Sequence, residues 1–395
     1  MNHPLRIGII GLGNIGTLHA NNLASLPSAT LAAVSNVNAA RLDAFRAKFP
    51  AVPIFPNADA LLAADLCDAV ILCGPHPTHV PHALAAFEHN LHVLAEKPLA
   101  SNLSAAQHLV DTWREKYSHL KFAMMFNQRT HPLYQKLRSL LRDGELGPIS
   151  RISWTITNWF RPNAYYASSK WRATWKGEGG GVLINQCPHN LDLLHWITGL
   201  IPTCITAVGF AGKHHPIEVE DEVSAILEYP PQPPTTSAPH PSEPRPLGSG
   251  GGGRPVSGAI GHFITSTGEF PGTNRLEIAG ARGKLTAENN TLTFHRSRTP
   301  VPEFSKTATE PFASPELWTI DIPVAKPPPN EHALLLENFV TVIQKNLPND
   351  ALIAPGPEGL HSLELGNALL QSALTRTPIA LPLNAQSFDT FLNAL

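Results

Sequence analysis

The glycine-rich turn near the N-terminus constrains the fold of this chain more than any other feature of its sequence. An apolar run, Leu5–Ile10, leads into the segment Gly11–Gly16, and a helical segment then extends to Ala24. Glycine permits a tight turn and a close backbone approach to a ligand, and the helix N-terminus presents free N–H groups to phosphates. With a second strand at Thr30–Ser35, the pattern predicts a dinucleotide site. The residues expected to line its pyrophosphate are Gly11, Gly13, Asn14, Ile15 and Gly16.

Strand-length apolar runs and helix-length segments continue to alternate up to about residue 125. The run Asp68–Cys73 is almost continuously apolar, which is typical of a strand in a parallel sheet that is buried on both faces. Repeated strand–helix units predict an α/β fold, with a doubly wound parallel sheet and right-handed crossovers. We therefore expect a Rossmann domain at residues 1–125. Its further elements are predicted at Ala39–Lys48, Pro53–Phe55, Thr78–His89, Leu91–Ala95, Ser104–Lys116 and Phe122–Phe126.

The end of the second strand favours NADP over NAD. In dinucleotide folds, an acidic residue about 20 positions after the glycine motif binds the ribose hydroxyls of NAD. Here the corresponding segment, Val34–Asn38, holds no carboxylate. A 2′-phosphate would therefore meet no negative charge, and Ser35, Asn36 and Arg41 could each donate a hydrogen bond to it. Neutral amides can also serve NAD, so both cofactors stay open.

Lys97 follows the predicted strand Leu91–Ala95 in the tripeptide Glu96-Lys97-Pro98. In open α/β sheets the ligand crevice lies outside the carboxyl ends of the strands. The proline after Lys97 stops further strand pairing, because it has no N–H to donate. A cation is thus expected where cofactor and substrate meet, which makes Lys97 a candidate catalytic residue.

The composition restricts the class of protein. The chain has 395 residues, enough for two domains, of which 43% are hydrophobic and 15% charged. A net charge of -2 argues against binding to nucleic acid or an anionic membrane. We expect no metal site, since the cysteines lack suitable spacing and His76, His79 and His82 have no carboxylate or cysteine to complete a ligand set. A cytoplasmic protein with reduced thiols is expected.

A second glycine-rich segment, Gly177–Asp192, combines three consecutive glycines with polar side chains. The triple glycine allows the backbone to crowd against a ligand. Asn185 and His189 are four residues apart, which predicts that they share one face of a helix.

Together these motifs resemble the glucose–fructose oxidoreductase / inositol dehydrogenase / MocA family of dinucleotide-dependent oxidoreductases. The similarity is carried by the glycine motif, Cys73-Gly74-Pro75 with His79, Glu96-Lys97-Pro98, Phe126-Asn127-Gln128-Arg129 and the triple-glycine segment with His189. The resemblance implies a second, α+β domain at residues 126–395 that binds substrate through a large, open, mostly antiparallel sheet. It also implies a homodimer or homotetramer formed through that sheet.

The resemblance also implies roles for individual residues. Lys97 would stabilise charge on the reacting oxygen, and His189 would act as general base and acid. Asn185 stands where such proteins commonly carry aspartate; its amide can orient His189 but cannot carry a proton. Either His189 then transfers the proton alone, through water, or Lys97 takes a larger share of the proton transfer. The other cofactor residues implied are Cys73, Pro75, His79, Glu96 and Asn127, and the other substrate residues are Arg129, Tyr166, Trp171 and Arg172.

The activity implied is hydride transfer between a nicotinamide and a secondary alcohol or carbonyl of a sugar, sugar derivative or cyclitol. Two alternatives stay open: an NAD-dependent glycosidase that recycles the hydride, and a non-catalytic regulator that senses the dinucleotide. Residues 230–257, rich in proline, glycine and serine, are expected to form a disordered insertion. This insertion would join two neighbouring antiparallel strands, Val223–Tyr229 and Ala259–Thr267.

Overall fold

The computed structural model describes residues 3–169, 171–232 and 258–395 of the chain. The predicted insertion at 230–257 lies outside these ranges except for its first three residues. Within the described ranges, no helix combines the length and the apolar character needed to cross a membrane.

The N-terminal part confirms the doubly wound parallel sheet. Among the described residues, six strands pair in the order β3-β2-β1-β4-β5-β6, all parallel. Their apolar runs are continuous because helices cover both faces of the sheet. In the register of β1 with β4, Ile10 lies opposite Leu72, so the loops after these two strands meet at one edge. The strands are β1 Leu5–Ile10, β2 Ala29–Ser35, β3 Ile54–Phe55, β4 Ala69–Leu72, β5 His92–Ala95 and β6 Phe122–Met124.

The helices of this part agree with the predicted ones to within a residue or two, with one addition. The short helix α3 follows Asn57, whose side chain caps it. The prediction missed it because its apolar residues are too few to show a helical period. The helices are α1 Asn14–Ala24, α2 Ala39–Lys48, α3 Ala58–Leu62, α4 His79–Glu88 and α5 Leu103–Lys116.

The second sheet is large and mostly antiparallel, as expected. In the part of the chain that the structure describes, nine strands pair in the order β14-β13-β12-β11-β7-β10-β9-β8-β15, and the β7–β10 pair is parallel. Ile260 of β10 lies opposite Glu228 of β9, which confirms that the runs on either side of the insertion are antiparallel neighbours. The strands are β7 Ile149–Ile156, β8 Cys204–Ala211, β9 Glu220–Glu228, β10 Ile260–Ser266, β11 Asn274–Gly280, β12 Gly283–Glu288, β13 Thr291–Ser297, β14 Leu317–Ile322 and β15 Ile379–Ala380.

Helices cover one face of this second sheet, and a π-helical turn, Val182–Gln186, precedes one of them. The segment 296–330 contains a helix and the edge strand β14. The helices are α6 Pro132–Arg142, α7 Asn163–Tyr166, α8 Trp175–Glu178, α9 Pro188–Thr198, α10 Val301–Thr307, α11 Glu331–Gln344, α12 Gly359–Thr375 and α13 Ala385–Asn393.

Helix α11 packs on the first sheet although it lies far along the chain. Leu335, Leu336, Phe339 and Val340 belong to the same buried cluster as β1, β4 and β5. Their spacing gives an apolar stripe along one side of the helix. Helix α11 thus shares the core of the first sheet, although it lies beyond the predicted division at residue 125. This return of the chain brings His332 to the edge of the first sheet where Lys97 lies. The ring centroid of His332 is 5.8 Å from that of His19, and His19 contacts Glu96, the residue before Lys97.

Candidate active site

At Gly11 and Gly16, the glycine turn after β1 makes contacts that leave no room for a side chain. Gly11 has a φ of +105°, and a Cβ there would lie 2.7 Å from the carbonyl oxygen of Cys73. A Cβ at Gly16 would lie 2.0 Å from the carbonyl oxygen of Gly11. The turn thus packs directly against the loop after β4, which only glycine permits. Cys73 is buried and supports this packing.

The N-terminus of α1 is open to an anion. Gly13 offers no side chain to cap the helix, and the first turn holds no acidic residue. By contrast, the side chains of Asn38 and Asn102 cap α2 and α5. A Cβ on Gly13 would meet Arg41 at 3.7 Å and, among the described residues, nothing else within 4 Å. The free N–H groups, the helix dipole and this open space fit the pyrophosphate of a dinucleotide.

The end of β2 lies beside the glycine turn, since the N–H of Gly11 donates to the carbonyl of Ser35 over 2.9 Å. The Ser35 hydroxyl is buried and has no hydrogen-bond partner within the described ranges. Asn36 accepts a hydrogen bond of 2.9 Å from the N–H of Asn38. The exposed Arg41 reaches back toward the turn, with Nη1 3.5 Å from the carbonyl oxygen of Leu12. The three predicted residues therefore lie together, with one cation and one unpartnered hydroxyl.

Lys97 lies just after β5 and reaches across to the second domain. Its Nζ donates a hydrogen bond of 2.8 Å to the backbone carbonyl of Asn185. Burial lowers the pKa of Lys97 below its ordinary value, although the carboxylates of Glu96 and Glu178 act in the opposite direction. The structure thus brings this cation to the second glycine-rich segment.

The neighbouring carboxylate, Glu96, is held by a histidine that the sequence analysis missed. His19 Nε2 lies 2.8 Å from Glu96 Oε1, and both side chains are buried. Burial alone would raise the pKa of Glu96, but the hydrogen bond and charge of His19, with the charge of Lys97, lower it to about 2. Glu96 also accepts from the N–H of Lys97 at 3.3 Å. Its contacts are therefore with protein groups that fix the backbone of Lys97.

His189 lies in the first turn of α9, with its ring centroid 6.1 Å from that of Phe126. Its Nδ1 is buried and finds no hydrogen-bond partner in the described part of the chain. Burial and then the positive charge of Lys97 lower the pKa of His189 to about 3. The imidazole is therefore neutral near pH 7, the form that can accept a proton from a hydroxyl.

Asn185 and His189 do not share a helix face, so that expectation is wrong. The π-helical turn that contains Asn185 ends at Gln186, and α9 begins at Pro188. Proline favours a new first turn because its missing N–H costs nothing there. The side-chain amide of Asn185 donates to Glu178 Oε1. Asn185 therefore does not orient His189.

Glu178 is the main site residue that sequence reasoning missed. Its side chain is 1% exposed, and Oε2 accepts a hydrogen bond of 2.7 Å from the N–H of Ala173. Arg172 Nη1 lies 3.6 Å from Oε1. Burial raises the pKa of Glu178, while these donors and the charge of Lys97 lower it in part. An acidic residue directly before three glycines was the available signal.

Tyr165, Trp171 and two arginines form a stacked group beside Glu178. The Arg172 guanidinium lies 4.4 Å from the Tyr165 ring centroid and 4.8 Å from that of Trp171. Arg172 also donates to the Tyr165 hydroxyl over 2.5 Å, and the Arg161 guanidinium lies 5.1 Å from the same ring. Such contacts contribute about 0.5–1 kcal/mol each at exposed sites. Burial and the neighbouring carboxylates have the largest effects on the pKa of Lys97. The charges of Arg172 and Arg161 also lower this pKa, so both arginines act on the same site as Lys97.

Tyr166 is not part of this group, contrary to the expectation. Its side chain is buried in a small cluster with Ala173 and Val219. Its hydroxyl lies 2.9 Å from that of Thr267, to which it donates. The α7 turn therefore directs Tyr165, rather than Tyr166, to Arg172.

Arg129 was expected near the substrate, but it is a buried structural residue. It is 1% exposed, with Nε donating to Asp192 over 2.8 Å and Nη1 donating to Glu358 over 2.5 Å. A guanidinium enclosed by two carboxylates has little capacity left for a ligand.

Asn127, two residues earlier, fits its predicted role at the cofactor better. Its Oδ1 is buried without a partner among the described residues, and its Nδ2 donates to Glu331 over 3.0 Å.

His76 and His79 bind backbone carbonyls. His79 has its two ring nitrogens 2.7 Å and 3.0 Å from the carbonyl oxygens of Pro98 and Gly74, and it is 2% exposed. His76 Nδ1 lies 2.9 Å from the carbonyl oxygen of Glu178. The side chain of His79 therefore joins the loops after β4 and β5, and its role in binding the cofactor stays a prediction. Pro75, in the first of these loops, is exposed.

The triple glycine serves contacts within the protein, not the close ligand contact that was predicted. Gly179 has a φ of +81°, and a Cβ there would lie 2.7 Å from the carbonyl oxygen of Ser101. A Cβ at Gly181 would lie 2.0 Å from the carbonyl oxygen of Glu220. These approaches bring the segment against the first domain on one side and β9 on the other. They explain how Asn185 comes within reach of Lys97.

Two family models match the chain. A model described as an oxidoreductase family with an NAD-binding Rossmann fold matches residues 5–123. A model of the GFO/IDH/MocA C-terminal domain matches residues 134–233. Together these ranges span more than half of the chain.

Among curated proteins, the chain is 28% identical over 195 residues to myo-inositol 2-dehydrogenase of Thermotoga maritima, covering 49% of this chain and 55% of that protein. It is 34% identical over 197 residues to glucose-6-phosphate 3-dehydrogenase of Bacillus subtilis, covering 49% of this chain and 53% of that protein. The matched part thus spans little more than half of each relative. Among solved structures, the WlbA dehydrogenase of Bordetella pertussis, in complex with NADH and UDP-GlcNAcA, gives a TM-score of 0.74 at 23% identity, with 97% of this chain and 99% of that chain covered. This likeness shows the shared fold.

Proposed function

The chain belongs to the GFO/IDH/MocA family of NAD-binding oxidoreductases, and on that premise we propose that it is an enzyme that oxidises or reduces its substrate with a nicotinamide dinucleotide. The proposed substrate group is a secondary alcohol, or its carbonyl, on a sugar, sugar derivative or cyclitol. The observation that carries this proposal is the contact of Lys97 Nζ with the segment that holds Asn185 and His189, at 2.8 Å from the Asn185 carbonyl oxygen. This contact lies at the sheet edge where the glycine turn offers its open helix N-terminus.

The proposed chemistry divides between two side chains. Conversion of a CH–OH group to C=O releases one hydride and one proton, and a bound dinucleotide would accept the hydride. Lys97 would donate a hydrogen bond to the reacting oxygen and stabilise its negative charge. His189, neutral because of burial and the charge of Lys97, would accept the hydroxyl proton and pass it to solvent. In the reverse direction the same groups would return the proton.

The substrate side supports a hydroxyl-rich ligand. Tyr165 and Trp171 offer aromatic faces, which suit the apolar face of a sugar ring. Arg161 and Arg172 offer donors for hydroxyls or for a carboxylate. The relatives act, by name, on myo-inositol and glucose 6-phosphate, and the WlbA structure holds a nucleotide-linked sugar acid. A sugar acid therefore belongs in any substrate screen beside neutral sugars and cyclitols.

We further propose NADP as the preferred dinucleotide. The segment Val34–Asn38 has no carboxylate, Ser35 keeps an unpartnered hydroxyl, and Arg41 places a cation beside the glycine turn. A 2′-phosphate would find donors there and no like charge.

We also propose that the protein is cytoplasmic and that it associates with further copies of itself through the second sheet. Val208 on β8, Ile226 on β9 and Ile260 on β10 are between 46% and 49% exposed. Val208 lies opposite Ser224 and Ile226 opposite Thr206, so these side chains belong to neighbouring strands. Contiguous apolar surface of this kind marks interfaces. A homodimer or homotetramer would cover it, and its mass in solution tests the assignment.

The proposal is tested by a screen of sugars, sugar acids and cyclitols with NAD and NADP in parallel, followed at the nicotinamide absorbance band. We expect substrate-dependent net formation of the reduced dinucleotide. Dinucleotide binding without turnover on any substrate would favour a sensing regulator. Substrate cleavage without net reduction would favour a glycosidase that recycles the hydride. A chain that binds neither dinucleotide would contradict the proposal.

A further inference from the structure

We propose that Glu178 is a positioning residue for Lys97, acting through Asn185, and that it supplies the carboxylate which Asn185 itself lacks. The inference rests on the proposed function, since it assigns a role within the same site. The amide of Asn185 can neither carry negative charge nor bind a proton in place of a carboxylate. The structure provides that charge seven residues earlier in the chain, on a different element.

Glu178 is held in place through both its side chain and its backbone. Its side chain is 1% exposed, Oε1 accepts from the Asn185 amide, and Oε2 accepts from the N–H of Ala173 over 2.7 Å. Its own backbone carbonyl accepts from His76, whose Nδ1 is 2.9 Å away, and thereby contacts the first domain. The Nδ2–H of Asn185 and the backbone N–H of Ala173 can only donate, so the two contacts favour a carboxylate over a protonated acid.

Asn185 transmits this position to the ammonium group. Its side chain is held by Glu178, and its backbone carbonyl accepts from Lys97 Nζ over 2.8 Å. A long lysine side chain has several rotamers, and ordering it has an entropic cost. Holding the acceptor in place before substrate arrives restricts the ammonium to one region of the site.

Charge gives Glu178 a second effect on Lys97. Glu96 and Glu178 favour the charged form of the lysine, whereas Arg172 and Arg161 disfavour it. Glu96 is shared with His19, so Glu178 is the carboxylate on the substrate side. The other titratable groups whose protonation responds to the charge of Lys97 are His76, His79, Cys187, His189 and His332. Removing the charge of Glu178 should therefore make Lys97 lose its proton more easily.

The test compares E178Q with R172Q, which remove opposite charges from one contact. In E178Q the limb of the kcat/KM profile that is set by Lys97 should move to lower pH. The expected shift is about one pH unit, which is typical for the loss of one nearby charge. In R172Q the same limb should move to higher pH. Turnover of E178Q should fall about tenfold or more, with dinucleotide affinity within about twofold of the wild type. Profiles of E178Q and R172Q that move the same way, or an E178Q profile that matches the wild type, would overturn the proposal.

A second measurement does not depend on turnover. The rate at which acetic anhydride labels Lys97, read by peptide mass at a series of pH values, reports its protonation. Labelling of E178Q should begin at lower pH than labelling of the wild type, even if no substrate is found. E178D keeps the charge and is used if E178Q fails to fold. Lys97 in E178D should be labelled over the same pH range as in the wild type. E222Q, a carboxylate change outside this segment, is the control for a general loss of structure, because Glu222 contacts Lys213 and His214.

Discussion

The dinucleotide side and the substrate side of the candidate site are held by different kinds of contact. At the glycine turn, the groups that matter belong to the backbone: the left-handed Gly11, the close carbonyl of Cys73 and the open N–H groups of α1. At the substrate side, the groups are side chains that come from both domains, as in the path from Glu178 through Asn185 to Lys97. Backbone geometry follows from local sequence, whereas a side-chain path needs the whole fold. The two sides should therefore respond differently to substitution.

The largest effect is expected from K97M. Methionine keeps the length of the side chain but removes the ammonium that would stabilise the reacting oxygen, so kcat should fall by roughly 10²–10⁴-fold. Dinucleotide affinity, measured by fluorescence titration, should stay within about threefold because the glycine turn is intact. K116M, at the exposed C-terminal end of α5, is the matched control and should behave as the wild type. Near-normal turnover of K97M would remove Lys97 from the proposed chemistry.

G13A separates ligand approach from folding. A Cβ at residue 13 meets little in the protein, so the melting temperature should change by only a few degrees. The methyl group would still occupy the space proposed for the pyrophosphate, so we expect at least about a tenfold loss of dinucleotide affinity. G11A is the comparison, because its Cβ would lie 2.7 Å from a carbonyl oxygen at a φ of +105°. It should lose stability as well as affinity, and equal melting temperatures for the two variants would contradict the account of the turn.

R41A tests the proposed preference for NADP. Removing one charged donor to a 2′-phosphate should lower kcat/KM for NADP about tenfold and change the value for NAD by less than about threefold. Arg46 lies on the same helix with its side chain 60% exposed, so R46A is a suitable control. Equal losses with both dinucleotides would assign Arg41 to the shared pyrophosphate instead.

The smallest effects should come from the two adjacent tyrosines. Y166F removes a buried hydrogen bond to Thr267, so it should lower stability by about 1 kcal/mol and leave the kinetic constants unchanged. Y165F removes the partner of Arg172 and should raise KM a few-fold with little change in stability. Chemical denaturation and steady-state kinetics on both variants distinguish these outcomes. A kinetic defect confined to Y166F would show that the assignment of the two rings is reversed.

The same contrast explains what could be predicted from the sequence. Strand β1 and helix α2 were predicted with their observed bounds, because apolar period is a local signal. The helix face proposed for Asn185 and His189 was wrong, since spacing alone does not reveal the break at Pro188. Nor could spacing indicate that Arg129 is enclosed by Asp192 and Glu358, which lie 63 and 229 residues away. His332 reaches the site only because α11 returns to the first sheet, and no local motif indicates that.

The most direct test of the account is a crystal structure of the chain with NADP and a substrate identified by the screen. We expect the reacting oxygen of the substrate at about 2.6–3.2 Å from Lys97 Nζ, with His189 and the nicotinamide ring adjacent to the same carbon. The pyrophosphate should lie on the N-terminus of α1. A ternary complex in which Lys97 stays on the Asn185 carbonyl while the substrate binds elsewhere would contradict it.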